Sequence, residues 1–236
     1  MMATRGILYS ATGANYITEA LASAKSSLRF NKIPHCIFCD SVPLHAVNGI
    51  QFVPFESCGD GYIDKISAMA RTPFDETIFL DTDTHVLDGI GEMFDLLRRF
   101  DLAAAHTAGY RKTDDSEQSE AFFDLNTGVI AYRRSAEIDE FMRHWRQLSK
   151  DWLASPPDFR VFGLDQASFR KVLWDSALSF YVLPPEYNYR CIFPGRLVGK
   201  AKIIHGRNKN YDKMAALINA GTGARIIERF SPDLDW

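Results

Sequence analysis

Short unbroken apolar runs alternate along the chain with stretches in which apolar residues recur every three or four positions. Residues 6–10, 35–39, 50–53, 77–80, 101–106, 126–132, 179–183 and 202–205 are runs of the first kind. Their length and continuous apolar character predict strands buried on both faces of a sheet. From about Asn15, Tyr16/Ile17, Ala20/Leu21, Ala24 and Leu28 form one stripe at helical spacing. Residues 62–71, 88–100, 135–149, 164–174 and 211–220 are the other predicted helices. The first of these stops at Thr72-Pro73, because proline lacks the N–H a helix needs. Residues 108–120 are polar and aperiodic, which predicts a loop long enough to act as a lid. Strands alternating with helices predict a three-layer, Rossmann-like α/β fold around an open mixed, largely parallel sheet. With no repeat and no linker, residues 1–236 are expected to form one domain. Residues 211–236 would be a C-terminal helical tail packed on it.

The run at 77–80 ends abruptly in Asp81-Thr82-Asp83. In open α/β sheets, ligands bind outside the carboxyl ends of the strands, where loops line a crevice. Two carboxylates at i and i+2 converge there if Thr82 bends the backbone, and together they suit a hard divalent cation. Asp residues also serve as plain turn formers, so the pattern alone leaves both roles open. A calcium loop is disfavoured, since Val86 stands where glycine is required and a strand, not a helix, precedes the carboxylates. The turn at Ala11-Thr12-Gly13-Ala14 has too few glycines for the dinucleotide fingerprint, which removes an NAD reading.

Composition narrows this further. A chain of 236 residues buries roughly 70–75% of its unfolded surface and needs no disulfide or metal to be stable. The net charge of −3 argues against a nucleic-acid partner. Cys36 and Cys39 form a C-x-x-C inside a predicted strand, where residues three apart face opposite sides, and no second pair follows. Buried free thiols in a reducing compartment are therefore expected rather than zinc ligands. No amino-terminal segment resembles a signal peptide and no run is long enough for a transmembrane segment, so a cytoplasmic location is expected. Homo-oligomerisation is left open.

Six motifs now fall in a recognisable order. They are the amino-terminal strand-turn-helix with Lys65 ahead of the next strand, Phe79-Leu80-Asp81-Thr82-Asp83-Thr84, Asn126-Thr127-Gly128-Val129, Asp165-Gln166, Leu183-Pro184-Pro185-Glu186-Tyr187-Asn188, and Ile203-Ile204-His205. This order resembles the GT-A glycosyltransferases, in particular the glycogenin and lipopolysaccharide galactosyltransferase-like group, over residues 6–211. The resemblance implies transfer of a hexose from a UDP-sugar to an acceptor hydroxyl, with retention of configuration. It implies Mn2+ (or Mg2+) held by Asp81, Asp83 and His205. Ser10, Ala11 and Tyr16 would receive uracil and ribose, and Lys65, Thr82, Asn126 and Gly128 would line the sugar-diphosphate. Asp165 and Gln166 would stand beside the anomeric carbon.

Each position also has a plainer structural role. Tyr16 could be core, Lys65 a solvated helix lysine, Asn126 and Gly128 a turn, Asp165 a helix cap and His205 a strand-end residue. The family follows its histidine with H-x-x-G-x-x-K, whereas this chain has His205-Gly206-Arg207-Asn208-Lys209. Either Lys209 or Arg207 would then contact phosphate. Two competing readings remain. One is a haloacid-dehalogenase-type phosphotransferase, which usually carries Thr or Val where this chain has His85. The other is a catalytically silent nucleotide-sugar or glycan-binding protein on the same fold.

Overall fold

The computed structural model describes residues 4–108, 118–154 and 164–228. The chain opens with β1 (Arg5–Ala11), α1 (Ala14–Leu28), β2 (His35–Cys39) and β3 (Ile50–Pro54). Gly13, at φ 99°, makes the turn into α1, and its N–H donates to the Asp40 carboxylate at the end of β2. Next come α2 (Gly61–Met69), β4 (Glu76–Leu80) and β5 (Thr84–Val86). The start of α2 is capped by the Asp60 carboxylate, which accepts from the N–H groups of Tyr62 and Ile63. A short α3 (Met93–Leu96), β6 (Leu102–His106), β7 (Leu125–Arg133), α4 (Ala136–Ala154), α5 (Leu164–Asp175) and β8 (Phe180–Leu183) follow. The last third holds β9 (Tyr189–Arg190), β10 (Gly195–Leu197), β11 (Ile203–His205), α6 (Tyr211–Ile218) and β12 (Arg225–Ile227).

Seven strands form the main sheet in the order β3-β2-β1-β4-β7-β6-β8. Among the described residues, only β7 runs against its neighbours; the β3-β2-β1-β4 pairs and the β6-β8 pair are parallel. Strand alternation divides the core into two layers. Ile7, Tyr9, Ile78 and Leu80 face α1, while Leu8, Phe79, Ile130 and Tyr132 face α2, α4 and α5. This is the three-layer, largely parallel architecture expected from the alternating pattern.

The C-x-x-C pair splits as its strand spacing requires, Cys39 entering one layer and Cys36 the other. All four cysteines are free, and only Cys58 is exposed. Burial pushes the Cys36 thiol up to about 12 and the Cys191 thiol up to about 11. A thiol reagent at pH 8 is therefore expected to modify one cysteine rapidly in the native protein and all four after unfolding. Rapid native modification of more than one would contradict the burial.

Several sequence expectations need correction. The helix at 88–100 shrinks to Met93–Leu96. Gly89 and Gly91 weaken its first turn, Ile90 N–H donates instead to Asn31 Oδ1, and the flanking residues wind in i to i+3 turns. Even so, Ile90, Met93, Phe94 and Leu97 enter the core as their spacing implied. In the described part of the expected helical tail, residues 211–228, the helix stops at Ile218. Gly221 and Gly223 follow α6, and the chain turns back so that β12 pairs antiparallel with β10. The Arg225 guanidinium holds that return by donating to the carbonyls of Ile218, Gly199 and Gly223. Residues 229–236, and the central part of the predicted lid at 109–117, lie outside the described residues. Among the described residues, no helix is long and apolar enough to cross a membrane.

Candidate active site

The site forms where β4 leaves the middle of the sheet. Asp81 N–H donates to the Gly128 carbonyl at 2.7 Å, and both the N–H and the hydroxyl of Thr84 donate to the Asp81 carbonyl. These bonds close a tight turn on Asp81-Thr82-Asp83 and start β5. β5 then pairs antiparallel with β11, with Thr84 opposite His205. Gly206 N–H donates to the Asp83 carbonyl at 2.9 Å, extending that pairing. Backbone register therefore sets the His205 ring against the two carboxylates. Its Nε2 lies 3.3 Å from Asp83 Oδ1 and 3.6 Å from Asp81 Oδ2. One ligand atom from each of the three residues falls within 4.8 Å of the others.

Gly128 faces this cluster from β7. A Cβ there would stand 2.0 Å from His205 Cε1 and 2.8 Å from Asp81 Oδ2, so only glycine leaves room for the ring. Asn126, Thr127 and Gly128 are thus more than a turn into a strand. The Asn126 side chain accepts from Gly128 N–H and from Asn188 Nδ2, and donates to Gln166 Oε1 at 3.1 Å. Asn188 Oδ1 in turn lies 2.8 Å from His205 Nδ1.

Lys65 is not a solvated helix lysine. It is buried, and its Nζ lies 2.9 Å from Asp81 Oδ1, 3.1 Å from Asp165 Oδ2 and 3.3 Å from Thr127 Oγ1. Burial pulls its pKa down, but the Asp81 and Asp165 carboxylates outweigh that and raise it. Asp165 is equally buried and accepts from the Thr127 hydroxyl at 2.6 Å. Burial favours its neutral form, yet Lys65 and Thr127 hold its pKa below the usual value. A simple helix cap would not bridge three elements in this way. The first turn of α5 is fixed by Trp145 of α4, whose Nε1 donates to the Asp165 carbonyl at 2.8 Å.

On the α1 side, the register of β1 against β4 carries Ser10 and Ala11 on toward the level of Asp81 and Thr82. Tyr16 is 49% exposed, which removes it from the core. The Arg207 guanidinium lies over its ring at 5.7 Å and forms a two-point bond to Glu19 at 2.6 and 3.0 Å. The Thr82 hydroxyl also donates to Glu19, at 2.9 Å. A cavity of about 380 Å3 lined by Glu19, Ser23, Thr82, Asp83, Arg207 and Lys209 adjoins the carboxylates here. Burial tends to raise the Asp83 pKa, but His205, Arg207 and Arg190 hold it well below the carboxylate range. A larger groove of about 550 Å3 between α4 and α5 contains none of these residues.

A divalent ion fits the residues present. Two ionised or ionisable oxygens and one imidazole nitrogen converge, and Gly128 leaves the space beside them free. Sequence reasoning missed Glu19 and Arg190, and it gave Asn188 no role. Arg190 is opposite His205 in the parallel pairing of β9 with β11, a two-residue strand that has no periodicity to detect.

No protein-family model matches the sequence, and no curated protein matches it. Solved structures do match. The galactosyltransferase LgtC, in complex with donor and acceptor sugar analogs, is 13% identical over 89% of this chain and 91% of its own, with a TM-score of 0.62. The glycosyltransferase GlyE of Streptococcus pneumoniae TIGR4 is 16% identical over 87% of this chain and 56% of its own, with a TM-score of 0.61. The chain has the GT-A fold. In this GT-A protein the carboxylate pair and the histidine sit at the carboxyl edge of the sheet, where an open α/β sheet receives its ligand.

Proposed function

We propose that the protein is a metal-dependent glycosyltransferase that moves a hexose from a UDP-sugar to an acceptor hydroxyl with retention of configuration. The observation that carries this reading is the meeting of Asp81, Asp83 and His205 at the end of β4, with Lys65 and Asp165 directly behind them. Both glycosyltransferase neighbours, with the TM-scores given above, support the same class.

Asp81, Asp83 and His205 would hold Mn2+ or Mg2+, and an imidazole among oxygens suits manganese better than calcium. Such an ion supplies Lewis acidity toward a departing diphosphate. The chain's own residues do the rest. Lys65 fixes Asp81 and Asp165 and brings a permanent positive charge to the cluster. Asp165 stays anionic and buried, so its field favours positive charge developing on a nearby anomeric carbon. Asn126 and Gln166 offer polar groups to the sugar, while Ser10, Ala11 and Tyr16 frame the nucleoside side. Of the two basic residues after His205, Arg207 is engaged with Glu19 and Tyr16, and it would have to exchange those partners for phosphate. Arg207 and Lys209 both line the cavity beside Asp83, and either would meet phosphate there.

The test is calorimetric titration of UDP into the metal-free protein with and without Mn2+, repeated on Asp83→Ala, followed by a panel of UDP-sugars. Micromolar binding that requires Mn2+ and is lost in the variant is the expected result. Binding indifferent to both would overturn the metal-bridged donor site. Tight binding with no sugar released from any donor would identify a silent binding protein instead.

A further inference from the structure

The amides of Asn126, Asn188 and Gln166 form one continuous hydrogen-bonded chain that ends on His205. Each amide has a donor end and an acceptor end, so the direction of the chain matters. The Gly128 N–H, which can only donate, fixes it. Gly128 N–H lies 3.0 Å from one end of the Asn126 amide, which must therefore be the oxygen. The Asn126 nitrogen then points at Gln166, so the Gln166 atom 3.1 Å away is its oxygen. The Asn188 group that meets Asn126 Oδ1 at 2.8 Å must be its NH2, which leaves the Asn188 oxygen 2.8 Å from His205 Nδ1. That histidine nitrogen has to carry the proton. At the far side of the ring, Nε2 looks into the carboxylate cluster, 3.3 Å from Asp83 Oδ1 and 3.6 Å from Asp81 Oδ2, with Arg190 Nη1 at 3.4 Å.

We infer that the Gly128 backbone N–H sets the polarity of the whole site, keeping a proton on His205 Nδ1 so that Nε2 is the atom offered to a cation, and turning the Gln166 NH2 toward the sugar. Asn188 and Asn126 are the positioning residues of this device. Gln166 then acts as a hydrogen-bond donor and not as an attacking oxygen, because its oxygen is committed to Asn126. A buried orphan marks the same direction. Gln166 is 6% exposed, and its Nε2 finds no partner among the described residues. A buried amide nitrogen without an acceptor is costly, and a sugar oxygen would satisfy it. Asn188 and Asn126 are themselves buried, which shields the chain from competing water.

The histidine part stands without any donor substrate, whereas the role of Gln166 rests on the glycosyltransferase reading, and the two are tested separately. Nitrogen-15 spectra of the metal-free protein are expected to show a proton on Nδ1. Asn188→Leu is expected to move it to Nε2 and to weaken Mn2+ binding by about 10- to 100-fold. Asn188→Asp, which still accepts from Nδ1, is expected to keep the wild-type tautomer. An Nδ1 without a proton in the wild type, or unchanged Mn2+ affinity in Asn188→Leu, would overturn the inferred polarity. For Gln166, the ratio of UDP-sugar to UDP affinity is the readout. Gln166→Glu keeps an oxygen on Asn126 but replaces the donor with an anion, and the ratio is expected to fall at least about tenfold. An unchanged ratio, or faster turnover, would show that the NH2 does not face the sugar. Failure of the wild type to bind UDP at all would instead remove the glycosyltransferase reading and leave the tautomer result intact.

Discussion

Replacing Lys65 with methionine is expected to destabilise the protein by about 3–5 kcal/mol, the usual consequence of stripping one partner from a buried ion pair. Lys65 and Asp165 are each less than a tenth exposed, and Lys65 Nζ lies 3.1 Å from Asp165 Oδ2. Methionine has nearly the same length and hydrophobic volume, so the loss comes from the charge and not from a cavity. The pH dependence identifies the cause. In the wild type the Asp165 pKa is lowered, so its contribution is present above the unfolded value of about 3.9 and is lost as pH falls through the folded value. In the variant, burial is opposed only by the hydrogen bonds from the Thr127 hydroxyl and the Gln166 backbone, and the folded pKa is expected to rise above the unfolded one. Its stability is then greatest in acid and declines as pH rises through that new value. The gap between the two proteins, measured by urea unfolding, should widen from pH 4 to pH 7. Adding Asp165→Asn should recover most of the loss. A gap independent of pH would mean that packing of the Lys65 stem, not its charge, is what the fold requires.

Much of the fold was legible because its main features repeat a pattern over enough residues. The apolar runs at 35–39 and 77–80 became β2 and β4, and the stripe from Ile17 to Ala24 became the buried face of α1. β5, β9, β10 and β12 were invisible for the opposite reason, since two or three residues cannot display a period. Two of these, β5 and β9, flank β11 and determine where His205 stands. The candidate triad of Asp81, Asp83 and His205 could still be named, because the D-x-D and the strand-end histidine are written locally in the sequence. The burial of Lys65 could not be seen, because a lysine in an amphipathic helix looks the same whether it meets water or Asp165. Asn188 and Arg190 reach His205 only through strand pairing, which is a tertiary fact.

The second large effect comes from one methyl group. Gly128→Ala is expected to lower Mn2+ affinity by at least about 100-fold and, if the proposed reaction holds, to lower glycosyl transfer about 1000-fold, since metal Lewis acidity is worth several kcal/mol of barrier. The added carbon would sit 2.0 Å from His205 Cε1, 2.7 Å from its Nδ1 and 2.8 Å from Asp81 Oδ2. All three contacts are too short to relax while the ring stays in place. His205 is held by Asn188 on one side and by the β11 backbone on the other, so the ring must leave the carboxylates or β7 must shift. Manganese titration monitored by electron paramagnetic resonance, beside a thermal melt, separates the two. Lost metal binding with a nearly unchanged melt is the expected pair of results. Full Mn2+ affinity in Gly128→Ala would show that His205 is not a ligand.

The pairing of β5 with β11 has a consequence for the protein's synthesis. A ribosome releases Asp81 and Asp83 long before His205, and all seven strands of the main sheet have been made by Leu183. At roughly 5–20 residues per second, a nascent chain spends on the order of ten seconds with both carboxylates made and the third ligand still missing. During that interval the growing polypeptide can assemble its scaffold but cannot close the centre. Under the proposed function, competence to capture an ion would arrive late and all at once, when the last strands dock.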